Sequence, residues 1–189
     1  MSTFSDEPLA VQRRIWNQGP QFWTPPSALV AILAIDPGPT ESAYVSLEVT
    51  GRIVEAAKVP NEQLLQMLRS ARPGRWDAIA VEMIASYGMP VGAEVFETCV
   101  VIGRICEALR NREPIRVERI EVKSAICHSG KANDANIRQA LIDRYGGKDK
   151  AIGKKATPGP LYGISGDMWA ALAVAVTVQD RMQSGSAAA

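Results

Sequence analysis

The feature that most constrains this chain is an apolar run that ends in an acidic residue and then Pro-Gly, at residues 31–38. A continuous apolar run of this length is typical of a strand buried on both faces of a sheet. Asp36 then lies at the end of a central strand, where the chain leaves the core. Because Asp, Pro and Gly also favour turns, this stretch alone leaves open that Asp36 only begins a turn.

Two further acids follow apolar segments in a similar way. Residues 76–81 form a second apolar run, which ends on Glu82. Two buried strands that each deliver a carboxylate indicate a shared acidic site, which requires a cation. Asp167 lies at the start of a strongly apolar helix and is the candidate third acid of a two-metal site. The alternative for Asp167 is a simple helix-dipole interaction at a helix N-terminus.

The order of predicted elements is βββ-α-β-α-β-α-α, which gives an α/β fold. It predicts a mixed five-stranded sheet with helices on both faces, in which the strands of Asp36 and Glu82 are neighbours. At 189 residues the chain is expected to form one domain at 28–183, with an N-terminal arm at 1–27 and a flexible tail at 184–189. The predicted strands are 32–36, 43–50, 52–60, 76–82 and 115–119, and the predicted helices are one capped by Asn61, then 91–112, 122–127, 134–145 and 165–182.

The charge of the chain is balanced overall but unevenly distributed. Residues 104–155 carry 13 basic and 7 acidic residues, whereas the remainder carries 8 basic and 13 acidic residues. Part of the basic segment, residues 148–160, combines lysines with two Pro and two Gly, which predicts a mobile basic loop.

Cysteine usage and hydropathy exclude several classes of protein. Three Cys with no CxxC pair favour a reducing cytosol over a disulfide framework, and a single His argues against a zinc site. No apolar run reaches the ~18 residues of a membrane helix, so we expect a cytoplasmic protein without a membrane partner. Cys99 and Cys106 are expected in the core.

The aromatic residues of the N-terminal arm either pack onto the domain or contact nucleic acid or a second subunit.

Four segments, in consistent order over about residues 30–180, resemble the RuvC family of Holliday-junction resolvases in the ribonuclease H-like superfamily. They are 32–38, 80–82, Val122 and Lys123 before a helix, and Gly166 and Asp167 before 171–175. Phage-encoded members resemble the chain more closely than the bacterial housekeeping type.

The resemblance implies a ribonuclease H-like fold and a homodimeric endonuclease that cuts branched DNA, above all four-way junctions, in the cytoplasm of the host if phage-encoded. It implies two Mg²⁺ or Mn²⁺ ions held by Asp36, Glu82 and Asp167. Lys123 would contact the scissile phosphate, although it is equally interpreted as an ordinary exposed lysine. The expected DNA-contacting residues are Tyr87, Lys123, Lys131, Lys148, Lys150, Lys154 and Lys155.

The chain departs from the family pattern at three positions. The family has a second aspartate one helical turn after the third acid, where this chain has Ala170. Asp134 is a candidate replacement or a helix N-cap, and it occupies the register of a family lysine, with Lys131 three residues earlier. The family's aromatic residue after the second acid has no counterpart at Ala85, and Tyr87 is a possible substitute.

Other functions remain compatible with these residues. A flap or branched-DNA nuclease of phage genome processing is one alternative, and a non-catalytic DNA-binding relative is another. An ATPase of the sugar-kinase and actin-like type would need two such domains, and this chain has room for one. The apolar helix at 91–109 has a wider hydrophobic face than one sheet requires, which favours a dimer interface there.

Overall fold

Five strands form one mixed sheet in this computed structural model, which describes residues 31–187 except Ser86, Tyr87, Met89 and Asn111. The first three strands are an antiparallel meander, and the last two run parallel to the first. The spatial order is β3-β2-β1-β4-β5, so the strands of Asp36 and Glu82 are neighbours in the middle of the sheet, as predicted. The strands are β1 (Ala31–Asp36), β2 (Glu41–Glu48), β3 (Ile53–Pro60), β4 (Ala78–Met83) and β5 (Ile115–Glu118).

Helices cover both faces of this sheet, which confirms the predicted fold class. A short two-stranded hairpin, β6 (Gly153–Lys154) and β7 (Thr157–Pro158), lies apart from the main sheet. The helices are α1 (Asn61–Ser70), α2 (Ala93–Ala108), α3 (Arg119–Cys127), α4 (Asp134–Arg144), α5 (Lys148–Ala151) and α6 (Met168–Ala187).

The alternation of side chains along β1 divides the core into two layers. Leu33 and Ile35 pack with α1 and α2 on one face, whereas Ile32 and Ala34 pack with α3, α4 and α6 on the other. All four of these side chains are fully buried. Since side chains on a strand alternate between faces, Asp36 belongs to the α6 face.

Helix α6 is the main cover of that second face. Its residues 171–179 are all buried, which is expected of a helix that is apolar on every side. Gln179 donates a hydrogen bond to the Val49 carbonyl at 2.8 Å and so ties the helix to the end of β2. Within the part of the chain described here, no helix has both the length and the apolar character needed to span a bilayer.

The basic segment after α4 was predicted to be a mobile loop, and this prediction was wrong. It forms α5 and the β6–β7 hairpin. A Cβ on Gly153 would lie 2.3 Å from the Thr157 carbonyl oxygen, and one on Gly159 would lie 2.2 Å from the Lys150 carbonyl oxygen. The two glycines thus allow a close backbone approach that composition alone does not reveal.

Several element boundaries also differ from the sequence prediction. Helix α2 is shorter than residues 91–112, and α6 begins at Met168 and continues beyond Met182. Asn61 does not cap α1, because it is the first helical residue and its side chain is turned into the core. Cys99 lies on the exposed side of α2 rather than in the core.

Candidate active site

Two acidic side chains meet where β1 and β4 end. The parallel register pairs Ala34 with Ala80 and Ile35 with Val81, so Asp36 and Glu82 are neighbours one step further along. Because side chains alternate along a strand, both residues lie on the sheet face that α6 covers, and both are partly buried. The structure therefore brings these two predicted residues together at the ends of two central strands.

A basic residue occupies the same row of the sheet. The register pairs Asp36 with Ala43 on β2, and Ala43 in turn with Lys58 on the edge strand β3. Lys58 therefore faces the same side as Asp36, with only the small side chain of Ala43 between them. Its ammonium lies 2.8 Å from Asp167 Oδ2 and 3.7 Å from Glu41 Oε2.

Asp167 joins this group from the start of α6. It lies just before the first helical residue rather than in the first turn, and its carbonyl accepts hydrogen bonds from Ala170 and Ala171. Its side chain is exposed and ion-paired with Lys58. Its charge is nonetheless close enough to raise the pKa of Asp36, so the three predicted acids share one electrostatic environment.

Burial and charge repulsion make ionisation of the two strand-end acids unfavourable. Burial raises the pKa of Asp36 to about 7, and the charges of Glu82 and then Asp167 add to this effect. The pKa of Glu82 is also raised, again by burial first, while the Arg119 guanidinium opposes that rise. The raised pKa values of both carboxyl groups show that the pair lacks enough nearby positive charge.

Arg119 is in direct contact with Glu82. It is the first residue of α3, and its Nη1 donates to Glu82 Oε1 at 3.2 Å. Its Nη2 is hydrogen-bonded to Asp134, the first residue of α4. Asp134 is not the N-cap of that helix, since Asn133 accepts the capping bond from the Asn136 amide.

The other predicted site residues lie at varying distances from this cluster. Lys123 is half-buried on α3, one helical turn after Arg119 and so on the same side of the helix. Lys131 is exposed in the loop before α4. Tyr87 lies outside the described residues, as does the predicted arm at 1–27. The remaining lysines are exposed on α5 and the β6–β7 hairpin, at Lys148, Lys150, Lys154 and Lys155.

The donor chemistry of the acidic cluster suits a divalent ion. Carboxylate oxygens are the ligands that Mg²⁺ and Mn²⁺ prefer, and a cation would relieve the repulsion between Asp36 and Glu82. Within the described residues, however, no three Asp, Glu, His or Cys side chains are gathered into a ready-made metal site. Lys58 is bound to Asp167 instead, and Arg119 is bound to Glu82.

Sequence reasoning did not identify Lys58 and Arg119. The position of Lys58 in its strand puts its side chain on the same face as Asp36, but this can be recognised only when the register of β2 and β3 is known. Arg119 directly follows β5, the strand that pairs with β4 at Glu82 and Val117. A basic residue that directly follows one strand, next to a strand that ends in an acid, can therefore be used to predict such an ion pair from the sequence.

Two solved structures of RuvC are similar in fold to this chain. A Thermus thermophilus RuvC structure matches with a TM-score of 0.62 and 18% identity, covering 83% of this chain and 98% of that one. The chain has the RuvC fold. T. thermophilus RuvC in complex with a Holliday junction substrate matches with a TM-score of 0.58 and 18% identity, covering 83% of this chain and 97% of RuvC. No family model and no curated protein matches the sequence.

Proposed function

We propose that this protein is a divalent-metal-dependent endonuclease that hydrolyses phosphodiester bonds in branched DNA and resolves Holliday junctions. The observation that carries this proposal is the pairing of Asp36 and Glu82 at the ends of adjacent central strands. Asp167 lies immediately before α6 and close enough to affect Asp36, and the whole arrangement lies in a fold shared with a RuvC that was solved with a Holliday junction.

Asp36, Glu82 and Asp167 would hold two Mg²⁺ or Mn²⁺ ions. Such ions supply an activated water for in-line attack and stabilise the leaving 3′-oxygen. The chain contributes the placement of the carboxylates. Asp36 and Glu82 are fixed by the sheet, whereas Asp167 is exposed and could exchange its contact with Lys58 for one with a metal ion. Lys123, on the same side of α3 as Arg119, is proposed to contact the scissile phosphate.

DNA is proposed to bind through its phosphates to the basic part of the chain. Lys131 lies in the loop before α4, and four further exposed lysines lie on α5 and the β6–β7 hairpin. Phosphate contacts of this kind position a duplex without reading its sequence. Because the hairpin is a defined structure, its lysines present charge at fixed positions rather than on a disordered loop.

A homodimer is proposed to form through the outward face of α2. Phe96 is 61% exposed and Val100 is 59% exposed, and Cys99 is exposed between them. An exposed apolar surface on a helix is typical of an interface. A two-fold dimer would place two active sites for paired cuts across a junction.

The test is cleavage of a panel of DNAs in Mg²⁺ or Mn²⁺: four-way, three-way, flap, single-stranded and linear. We expect paired cuts in the four-way junction and none with Asp36→Asn, which retains DNA binding. Asp77→Asn is the matched control, because Asp77 lies at the other end of the sheet and accepts a hydrogen bond from the Ala31 amide. Cutting of flaps in preference to junctions would favour a genome-processing nuclease.

A non-catalytic DNA-binding protein is the second candidate. It is favoured by the Lys58–Asp167 ion pair and by Ala170, which stands where a further acid would help to hold metal. A non-catalytic protein of this kind would bind the four-way junction with equal affinity in EDTA and in Mn²⁺. It would also leave every DNA of the panel intact.

A further inference from the structure

Arg119 connects two carboxylates that belong to different elements. Its guanidinium binds Glu82 on β4 and Asp134 on α4 at the same time. The Glu82 side chain is 13% exposed, whereas the Asp134 side chain is 81% exposed. The planar fork of an arginine can bind two acceptors at once, which the single ammonium of a lysine does less well.

The backbone fixes both ends of this connection. Glu118 and Glu121 form a capping box at the start of α3, with the Glu118 amide donating to Glu121 Oε2 at 2.6 Å. Asn133 and Asn136 form a second capping box at the start of α4. Capping boxes define where a helix begins. Arg119 and Asp134, as the first residues of their helices, are therefore held in place beside the end of β4.

A divalent ion and the guanidinium compete for the same carboxylate. Two cations close to one partly buried carboxylate repel each other strongly, because screening is weak there. Arg119 contacts Glu82 through Oε1, and we expect an ion that binds this carboxylate to weaken or displace that contact. Asp134 offers the displaced guanidinium a second, solvent-exposed acceptor that needs no new contact.

We propose that Arg119 is a positioning residue that holds Glu82 until metal binds, and that Asp134 is its anchor rather than a fourth metal ligand. Arg119 thereby sets the metal affinity of the site. The inference rests on the proposed metal-dependent function. It is tested by metal binding to the DNA-free protein, a measurement that does not depend on cleavage.

The first experiment is calorimetric titration of Mn²⁺ into the full-length protein without DNA. Arg119→Gln should bind Mn²⁺ about tenfold more tightly than wild type, because the competing cation is gone. Arg119→Lys keeps the charge but lacks the planar fork, so its Mn²⁺ affinity should lie between those of wild type and Arg119→Gln. It also tests the proposal if the Gln variant does not fold. Arg116→Gln is the matched control, since Arg116 pairs with Glu113 three residues earlier in the chain. Unchanged or weaker Mn²⁺ binding by both Arg119 variants would overturn the proposal.

The second experiment separates an anchor from a ligand by a double-mutant cycle. Asp134→Asn should weaken Mn²⁺ binding several-fold in wild type, because the guanidinium is then left with Glu82 alone. In the Arg119→Gln background the same change should alter the affinity less than about twofold. A similar loss in both backgrounds would identify Asp134 as a metal ligand and reject the anchor.

The two proposals fail in distinguishable ways. Mn²⁺ binding by wild type that is indifferent to Arg119 leaves the nuclease proposal standing and removes this one. Absence of Mn²⁺ binding by wild type, Arg119→Gln and Arg119→Lys removes both. Metal binding that follows the expected order, in a protein that cuts no DNA, supports the exchange at Glu82 and rejects the nuclease.

Discussion

Asp36 is a residue whose ionisation opposes folding of the metal-free protein. Its pKa is about 7 in the folded chain, against 3.8 for the unperturbed group. The folded state therefore binds more protons than the unfolded state between these two values. Stability falls as the pH rises through that window, and the full penalty is present above pH 7.

Asp36→Asn should remove this penalty. In urea unfolding with EDTA at pH 8, we expect the variant to be more stable than wild type by on the order of 2 kcal/mol, an advantage that shrinks as the pH is lowered toward 4. Added Mg²⁺ should stabilise wild type and narrow the difference. Asp77→Asn should show no such pH-dependent gain, and a variant less stable than wild type at pH 8 would contradict this account.

Asn61 supports the turn that follows Asp36. Its side chain is buried and hydrogen-bonded: it accepts a hydrogen bond from Ser42 Oγ at 2.6 Å and donates one to the Gly38 carbonyl at 3.0 Å. Asn61→Ala should lower the free energy of unfolding by about 1–3 kcal/mol, because buried polar partners are left without their hydrogen bonds. We also expect slower cleavage well below the melting temperature, since the turn positions Asp36.

Chemical denaturation and cleavage rates of Asn61→Ala would be compared with those of Gln63→Ala. Gln63 is exposed in the same helix, two residues further on. Equal stability of the two variants would show that the Asn61 hydrogen bonds do not matter for this turn.

Helix α2 presents two different surfaces at the scale of the element. Ile102 is 6% exposed and faces the sheet, whereas Phe96 and Val100 face outward. Phe96→Asp should yield a folded monomer in sedimentation at micromolar concentration, because a charge is then buried in the proposed interface. The monomer should nick branched DNA without making paired cuts.

The matched control for this variant is Val54→Asp, which places the same charge at a 53% exposed apolar residue on β3. It should keep the oligomeric state of wild type. Ile102→Asp should unfold the chain instead, since it places a charge in the core. A wild-type protein that sediments as a monomer would exclude the α2 dimer.

The apolar runs predicted β1 and β4 because a buried strand is encoded by a local pattern. The same runs located Asp36 and Glu82, which lie where the pattern ends. Lys58 and Arg119 were not predicted, because each reaches its carboxylate across elements and only the sheet register reveals that contact. The β6–β7 hairpin was missed for a related reason: Gly and Pro usually indicate a loop, but here they permit close packing.

The whole molecule carries its charge unevenly, with the basic excess in residues 104–155 and the acidic excess elsewhere. If DNA binds to the basic part, neutralised phosphates release counterions and affinity falls steeply with salt. Replacing Lys148, Lys150, Lys154 and Lys155 together by Ala should weaken binding and flatten the plot of log affinity against log salt concentration.

The slope should become less steep by up to about one for each phosphate that the variant no longer neutralises, as measured by fluorescence anisotropy on a labelled four-way junction. A matched control replaces basic residues outside the segment 104–155, such as Arg69 and Arg72, which are exposed near the end of α1. Equal slopes for wild type and the quadruple variant would exclude α5 and the hairpin from the DNA-binding surface.

The position of α6 late in the sequence has a consequence for synthesis. Among the described residues, α6 is the main cover of one face of the sheet, so a nascent chain that still lacks this helix leaves apolar residues of that face without their main packing partner. Asp167 immediately precedes the helix and is placed by it. A polypeptide interrupted before this point would expose its core and lack Asp167, so under the proposed function we expect such incomplete products to cut no DNA.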